Sequence, residues 1–505
     1  MFVRVLSFVL EGIAAMPVTV EVDVSNGLPQ FTIVGLADAA VQESRERVRA
    51  AIKNCGWPFP AQRITVNLAP AYTRKGGAGF DLSIALGVLA AAGHISSEAL
   101  QEVAVAGELA LDGSLRPIRG TLAMALAARA EAAKALVVPV ASGAEAALAG
   151  GVVYPAASLP EVVEHLNGNL QLAPQPATES QEETEAPVDL ADVHGQHVAR
   201  RALEVAAAGG HNLLMVGSPG SGKSMLARCL PGILPPLLPD EAMEVSRIHS
   251  VAGLLPGGRL MQNRPFRAPH HSASGSAILG GGHPLHPGEV TLAHRGVLFL
   301  DELPEFRRDV LEGLRQPLED GRVLVSRVHG SAFFPAQPML VAAANPCLCG
   351  YYGDDQHECT CPSHTVFQYR ARLSGPLVDR FDLHVFLSPV RYQEYAATAT
   401  SGAEPSRVVR ARVEEARVRQ QGRFAGEGIA CNAQMTAAQV RRFCPLPPGG
   451  EMLMREAFER LGLSLRGHDK VLRVARTVAD LAGSEAILIR HLAEALQYRS
   501  MDRRG

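Results

Sequence analysis

The 505-residue sequence predicts an α/β protein built around a parallel sheet, and three observations carry that expectation. Short apolar runs, "HNLLMVG", "GVLFLDE" and "PMLVAAAN", alternate with helical stretches in the middle of the chain, as expected where helices cover both faces of parallel strands. "LAPQPATESQEETEAPVDL" (172–190) is rich in Pro, Glu, Thr and Gln and nearly free of large apolar residues, so it reads as a solvated linker. From about 391 onward strand signals vanish, and long Arg- and Ala-rich periodic segments predict helices. The expected organisation is a mixed α and β domain at 1–171, a linker at 172–188, a core at 189–390 and a helical domain at 391–505.

Composition bounds the function classes. With 47% hydrophobic and 20% charged residues, the chain is an ordinary globular protein rather than a disordered one. The opening "MFVRVLSFVLEG" is broken by Arg4 and Glu11, and no stretch is long enough to span a bilayer, which predicts a cytoplasmic protein with no membrane partner. Of eight cysteines, four stand alone, which argues against a disulfide framework and leaves the other four as a local device. The net charge of −3 hides a gradient: residues 1–188 carry 12 basic and 19 acidic side chains, 189–390 carry 17 and 19, and 391–505 carry 19 and 13. The basic end permits a polyanion such as DNA as partner, and a salt-bridged helix face gives the same count.

In the first domain, "PVTVEVDVSNGLPQFTIVGL" alternates apolar residues on either side of Asn26-Gly27, which predicts a hairpin. "DAAVQESRERVRAAIKNCG" follows with helical periodicity and stops at Gly56.

The core carries the chemistry. "GSPGSGKS", comprising Gly217, Ser218, Pro219, Gly220, Ser221, Gly222, Lys223 and Ser224, matches G-x-x-x-x-G-K-[ST] between a strand, "NLLMV", and a helix, "MLARCL". Such a loop turns backbone N–H groups around the phosphates of ATP, Lys223 reaches the β- and γ-phosphates, and the Ser224 hydroxyl ligates Mg²⁺. "VLFLDE" supplies the partner strand: Asp301 holds the Mg²⁺ through water, and Glu302 polarises the attacking water. "MLVAAAN" ends in Asn345, placed to orient that water and sense the γ-phosphate, or to serve as a turn residue before Pro346.

Behind Asn345, "NPCLCGYYGDDQHECTCP" (345–362) forms a Cys-rich insertion in which Cys347, Cys349, Cys359 and Cys361 make two C-x-C pairs. Folded back at the Gly-Tyr turn, four thiolates can meet at one tetrahedral Zn²⁺. Redox-active pairs are the competing reading, and His357 or His364 could replace one cysteine. "DGRVLVSRVHGSAFFPAQP" (320–338) predicts two strands around a turn, with Arg327 and His329 at the tip facing DNA phosphates or simply forming an edge hairpin. "RPFRAPHHS" gathers Arg264, Arg267, His270 and His271, to which no ligand role is assigned.

These residues carry a resemblance. "RPFRAPHHSASGSAILGGG" (264–282), "NPCLCGYYG", "SGPLVDRFDLHV" (374–385) and "VLRVARTVADL" (471–481) resemble the YifB/ComM family of magnesium-chelatase-like AAA+ ATPases, over essentially the whole chain. The resemblance implies a Lon-protease-like N-terminal domain, a P-loop AAA+ core and a helical C-terminal lid. It implies that Arg380 reaches a neighbouring subunit's site, and that Arg466, or failing it Arg473, touches the γ-phosphate. It also implies a homohexamer that moves along DNA and extends recombination joints during transformation, with recombination proteins as possible partners.

Two alternatives belong to other classes. "RKGGAGFDL" and "GELALDGSLRPIRGTLAMALAA" resemble a Lon peptidase domain, but Gly79 and Leu122 stand where that family has its serine and lysine, and neither can attack a peptide or take a proton. A magnesium-chelatase ATPase subunit shares the core, but lacks the Lon-like domain and the cysteine quartet.

Overall fold

The computed structural model describes residues 1–176, 188–282, 285–327, 330–373, 375–390 and 403–499. Most of the expected linker, His329 and the first residues of the expected helical domain therefore lie outside the described residues, as does the side chain of Arg327.

A seven-stranded mixed sheet organises the N-terminal part, in the order Gln30–Val34, Arg63–Ala69, Ala14–Ser25, Phe2–Glu11, Val103–Val105, Ala135–Pro139, Val153–Ala156. The hairpin expected at Asn26-Gly27 does not form. Strand Arg63–Ala69 inserts between the two candidates, pairing antiparallel with Ala14–Ser25 and parallel with Gln30–Val34. The true hairpin joins Phe2–Glu11 to Ala14–Ser25 through Gly12, which takes a left-handed φ of 62°. Both candidates alternate apolar residues, and alternation reports a buried face without naming the partner strand. The predicted helix spans Ala39–Asn54, where Asp38 Oδ1 caps the Val41 N–H at 2.9 Å, and the chain leaves it at Gly56 with φ 90°.

The core is a five-stranded, all-parallel sheet in the order Phe266–Arg267, Val297–Leu300, Met339–Ala344, Leu213–Gly217, Leu383–Leu387. Its central strands are buried throughout, which is why they read as unbroken apolar runs. Alternate residues face two clusters. Leu213, Met215, Val341, Ala343 and Val385 pack toward helices His197–Gly209 and Lys223–Ile233 and the C-terminal helices. Leu214, Val216, Leu298, Leu300 and Leu340 face the opposite cluster with Phe334 and Phe381. Strands Arg322–Arg327 and Gly330–Pro335 form the expected antiparallel pair, with Leu324 and Phe333 exposed and the Arg322 guanidinium 5.0 Å from the Phe333 ring centroid.

After residue 402 the described chain is helical, and helices Ser406–Arg423 and Leu465–Leu481 share the cluster on the P-loop side of the sheet. Many of its arginines turn inward. Arg410 donates to the Gly232 carbonyl at 2.8 Å, Arg417 to that of Ala207 at 2.8 Å, and Arg423 and Arg476 share the buried Asp480. The excess basic charge at this end thus serves internal bonding at these positions. The N-terminal part docks on the core: Glu145 Oε1 accepts from Ser250 Oγ at 2.6 Å, and Ile13 packs against the cluster that includes Phe334.

Candidate nucleotide site

In a parallel sheet all strand ends face one edge. Register places Val216 beside Ala344, and Gly217, Asp301, Asn345 and Ser388 therefore leave the sheet on the same side. Helix Lys223–Ile233 begins there, with Gly222 at its N-cap in a left-handed conformation, φ 88°. That backbone turn aims the first N–H groups of the helix at an anion.

Side chains close the arrangement. Ser224 Oγ donates to Asp301 Oδ2 at 2.7 Å, bringing together a hydroxyl and a carboxylate 77 residues apart in the chain. Lys223 Nζ donates to the carbonyls of Gly217 at 2.7 Å and Ser218 at 2.9 Å, which holds it inside the loop. Burial lowers the ammonium's pKa, while Asp301 and Glu302 pull it back up. Ser224 and Asp301 fit the hydroxyl-plus-carboxylate donor set that holds Mg²⁺ at a P-loop, and Lys223 with Gly217–Gly222 fits a triphosphate. Glu302 stands next along, exposed and at φ 52°, a left-handed conformation sparsely populated outside glycine. Its backbone N–H donates to Asp301 Oδ1 at 3.0 Å, which fixes the Asp301 carboxylate against the turn. Asn345 follows the last strand residue, half-buried beside Gly217.

Three participants escaped sequence reasoning. His271 Nδ1 lies 3.2 Å from Glu302 Oε2, with the His270 ring 4.0 Å away, so part of "RPFRAPHHS" meets the expected base. Arg264 and Arg267 of the same segment serve structure, binding Glu241 and Glu289. Gln196 Nε2 bridges the carbonyls of Ser221 at 3.2 Å and Ser388 at 2.7 Å, pinning the P-loop to the neighbouring strand end. Glu319 gathers the two arginines expected at a phosphate: it ion-pairs with Arg380 and lies 3.9 Å from Arg466 Nη1. No local pattern marks a residue whose partners are 61 and 147 positions away.

Beside this edge the four thiols converge. All four Sγ atoms lie within 4.8 Å of one another, with Cys347 to Cys349 at 3.3 Å, Cys347 to Cys359 at 3.7 Å and Cys349 to Cys359 at 3.6 Å. Tetrahedral Zn–S bonds near 2.3 Å place sulfurs about 3.8 Å apart, close to these spacings. The Tyr351 N–H, helped by Cys347 and Cys361, lowers the Cys349 thiol to about 5. The thiols come together without His357 or His364.

With the geometry established, comparison with known proteins places the chain. The family model for magnesium chelatase, subunit ChlI, matches residues 189–395, a second described as subunit ChlI of Mg-chelatase matches 20–142, and one for the subunit's C-terminal part matches 403–499. The chain is 44% identical to competence protein ComM of Haemophilus influenzae and 42% identical to YifB of Salmonella typhimurium, each over 97% of this chain and 96% of the relative. It belongs to the YifB/ComM family. A magnesium-chelatase 38 kDa subunit of Acidiphilium rubrum is 27% identical and covers 55% of this chain and 79% of its own length. Coverage separates the two groups: the YifB and ComM relatives match nearly the whole chain, and this chelatase subunit matches 55% of it. Membership in this magnesium-chelatase-like AAA+ family implies ATP and Mg²⁺ as the ligands of the site.

Proposed function

We propose that this chain is an ATPase that drives a homohexameric DNA motor, moving branch points in recombination intermediates in the cytoplasm, with natural transformation as the setting. The observation that carries the reading is the Lys223, Ser224, Asp301 and Glu302 constellation in a chain similar end to end to a protein named for competence. Bound ATP·Mg²⁺ supplies the phosphoryl group and neutralises charge on it. Lys223 leaves the Gly217 and Ser218 carbonyls for the phosphates, and Ser224 and Asp301 hold the metal's position. Glu302 orients the attacking water and accepts its proton, and Asn345 fixes the water from the next strand end. Arg380 and Arg466 leave Glu319 when a neighbouring subunit and nucleotide offer a stronger anion, so the hydrolysing site is built between subunits. The four cysteines hold one structural Zn²⁺.

DNA contact falls on the hairpin 322–335, whose exposed Phe333 and Leu324 offer apolar surface beside Arg322. No described helix is long and apolar enough to cross a membrane. Four-way-junction displacement tests the reading. Wild-type chain with ATP and Mg²⁺ moves the branch, Glu302→Gln binds the junction without moving it, and Arg380→Ala assembles but hydrolyses slowly. Hydrolysis stimulated by a porphyrin rather than DNA would replace the motor by a chelatase subunit, and ATP-dependent peptide cleavage would replace it by a protease.

A further inference from the structure

We propose that the cysteine loop is a metal-dependent buttress of the P-loop, so that occupancy of the four-thiol site sets the chain's affinity for ATP. This rests on the reading that the thiols hold Zn²⁺, and adds what that metal controls.

The argument starts where the loop leaves the sheet. Strand Met339–Ala344 ends at the site edge, and within three residues the chain reaches Cys347, fully buried. Residues 345–362 contain no helix or strand, so backbone hydrogen bonding of regular structure does not set their path. The thiols do that instead. Cys349 N–H donates to Cys361 Sγ at 3.4 Å, and the sulfurs of Cys347, Cys349 and Cys359 stand 3.3 to 3.7 Å apart, which folds the return limb onto the first. A loop fixed at one cluster is ordered by whatever occupies the cluster.

The folded loop lies directly on the phosphate cradle. Gly350 takes a left-handed φ of 89°, and a Cβ built there would sit 2.6 and 2.7 Å from the ring carbons of Pro219. Only a glycine backbone comes this close to the P-loop without displacing it. Four residues on, Asp354 is buried within the loop. Its side chain is 2% exposed, its Oδ1 accepts from the N–H groups of Gln356 at 2.8 Å and His357 at 3.0 Å, and its Oδ2 is buried. The Gln356 N–H, with that of His357, holds this carboxyl below the usual carboxylate range. Pro219 of the P-loop therefore meets the loop whose shape the thiols set, and its neighbour Ser218 lends a carbonyl to Lys223. On the other side, Arg370 Nε donates to the Pro346 carbonyl at 3.2 Å and its guanidinium lies 4.6 Å from the Tyr352 ring centroid, which backs the loop against helix Ser363–Ala371. Between a helix behind and the P-loop in front, a collapse of the clasp moves the P-loop wall.

The experiment uses the full chain with Mg²⁺ held constant. Zinc per chain is measured by elemental analysis, and mant-ATP affinity is measured by fluorescence before and after a zinc-selective chelator, then after zinc is restored. Expected are one zinc per chain, at least a tenfold rise in Kd on stripping, and recovery on restoration. Gly350→Val separates metal from contact: it keeps its zinc and its melting temperature to within a few degrees, yet shows the same weakened Kd. Were the chelated chain to unfold, Gly350→Val alone decides. Zinc present with Kd unmoved by stripping and by Gly350→Val overturns the buttress and leaves the zinc reading intact. A chain purified without zinc, and unable to take it up, overturns both.

Discussion

The two sheets bury apolar residues equally well and differ in where their strands end. In the five-stranded sheet every strand runs the same way, so Gly217, Asp301 and Asn345 emerge together and the polar residues after three separate apolar runs become neighbours. In the seven-stranded sheet, Phe2–Glu11, Ala14–Ser25 and Arg63–Ala69 alternate in direction, which scatters their ends to opposite edges. Leu122, one of the two positions where a peptidase dyad would sit, is fully buried in the cluster with Phe8, Ala104 and Val138. One sheet thus gathers polar residues at a single edge, while the other spreads its strand ends over two. Direction of strands, more than composition, makes that difference.

Substitutions can break the comparison. The largest effect belongs at the parallel edge. Glu302→Gln should lower kcat by about 10²–10⁴ with nucleotide affinity retained, while Lys223→Ala should lose nucleotide binding itself. Equal loss of binding in both would show that the carboxylate and the lysine do not divide the work as placed.

Next comes a charge beneath the same sheet. Asp382 lies 3.4 Å from Lys470 and 3.7 Å from His211, and accepts the Asn212 N–H at 3.0 Å. Burial pushes this carboxyl up, but Lys470 and His211 outweigh it and hold its pKa far below the ordinary value. The sign follows: a lowered folded pKa stabilises above the unfolded carboxylate pKa of about 3.9, and the contribution disappears as pH falls toward the folded value. Asp382→Ala should cost about 3–5 kcal/mol at neutral pH by stranding Lys470. Denaturation at pH 7 and pH 3 would check that the gap between wild type and variant narrows in acid.

The smallest effect on turnover belongs to the mixed sheet. Leu122→Ala should cost about 2–5 kcal/mol of stability through a cavity, with ATPase kcat and KM unchanged below the melting transition. A change in turnover from this substitution would show that the N-terminal sheet takes part in the chemistry after all.

How legible the molecule is depends on the range of the interaction. The P-loop and its strand read from a single window because a phosphate cradle is local backbone geometry. Asp301 and Asn345 read because an apolar run followed by a polar residue marks a buried strand and its exit. The Asn26-Gly27 hairpin misled because turn chemistry is local while pairing is not: Arg63–Ala69 offered a better partner from 37 residues beyond Asn26. His271, Gln196, Glu319 and Gly350 could not be found, since each acts across a gap closed only when the sheet forms.

Sequence by itself determined the parallel core, the P-loop with its carboxylate strand, the four-cysteine loop and the helical end, because each depends on residues close along the chain or on a repeated period. Tertiary structure alone decided that Ser224 meets Asp301, that one glutamate holds both arginines, that Arg410, Arg417, Arg423 and Arg476 turn inward, and that Gly350 rests on Pro219. The physical reason is packing. A strand's neighbours are chosen by the surface they bury together, and a residue's chemical partners follow from that choice rather than from its place in the chain.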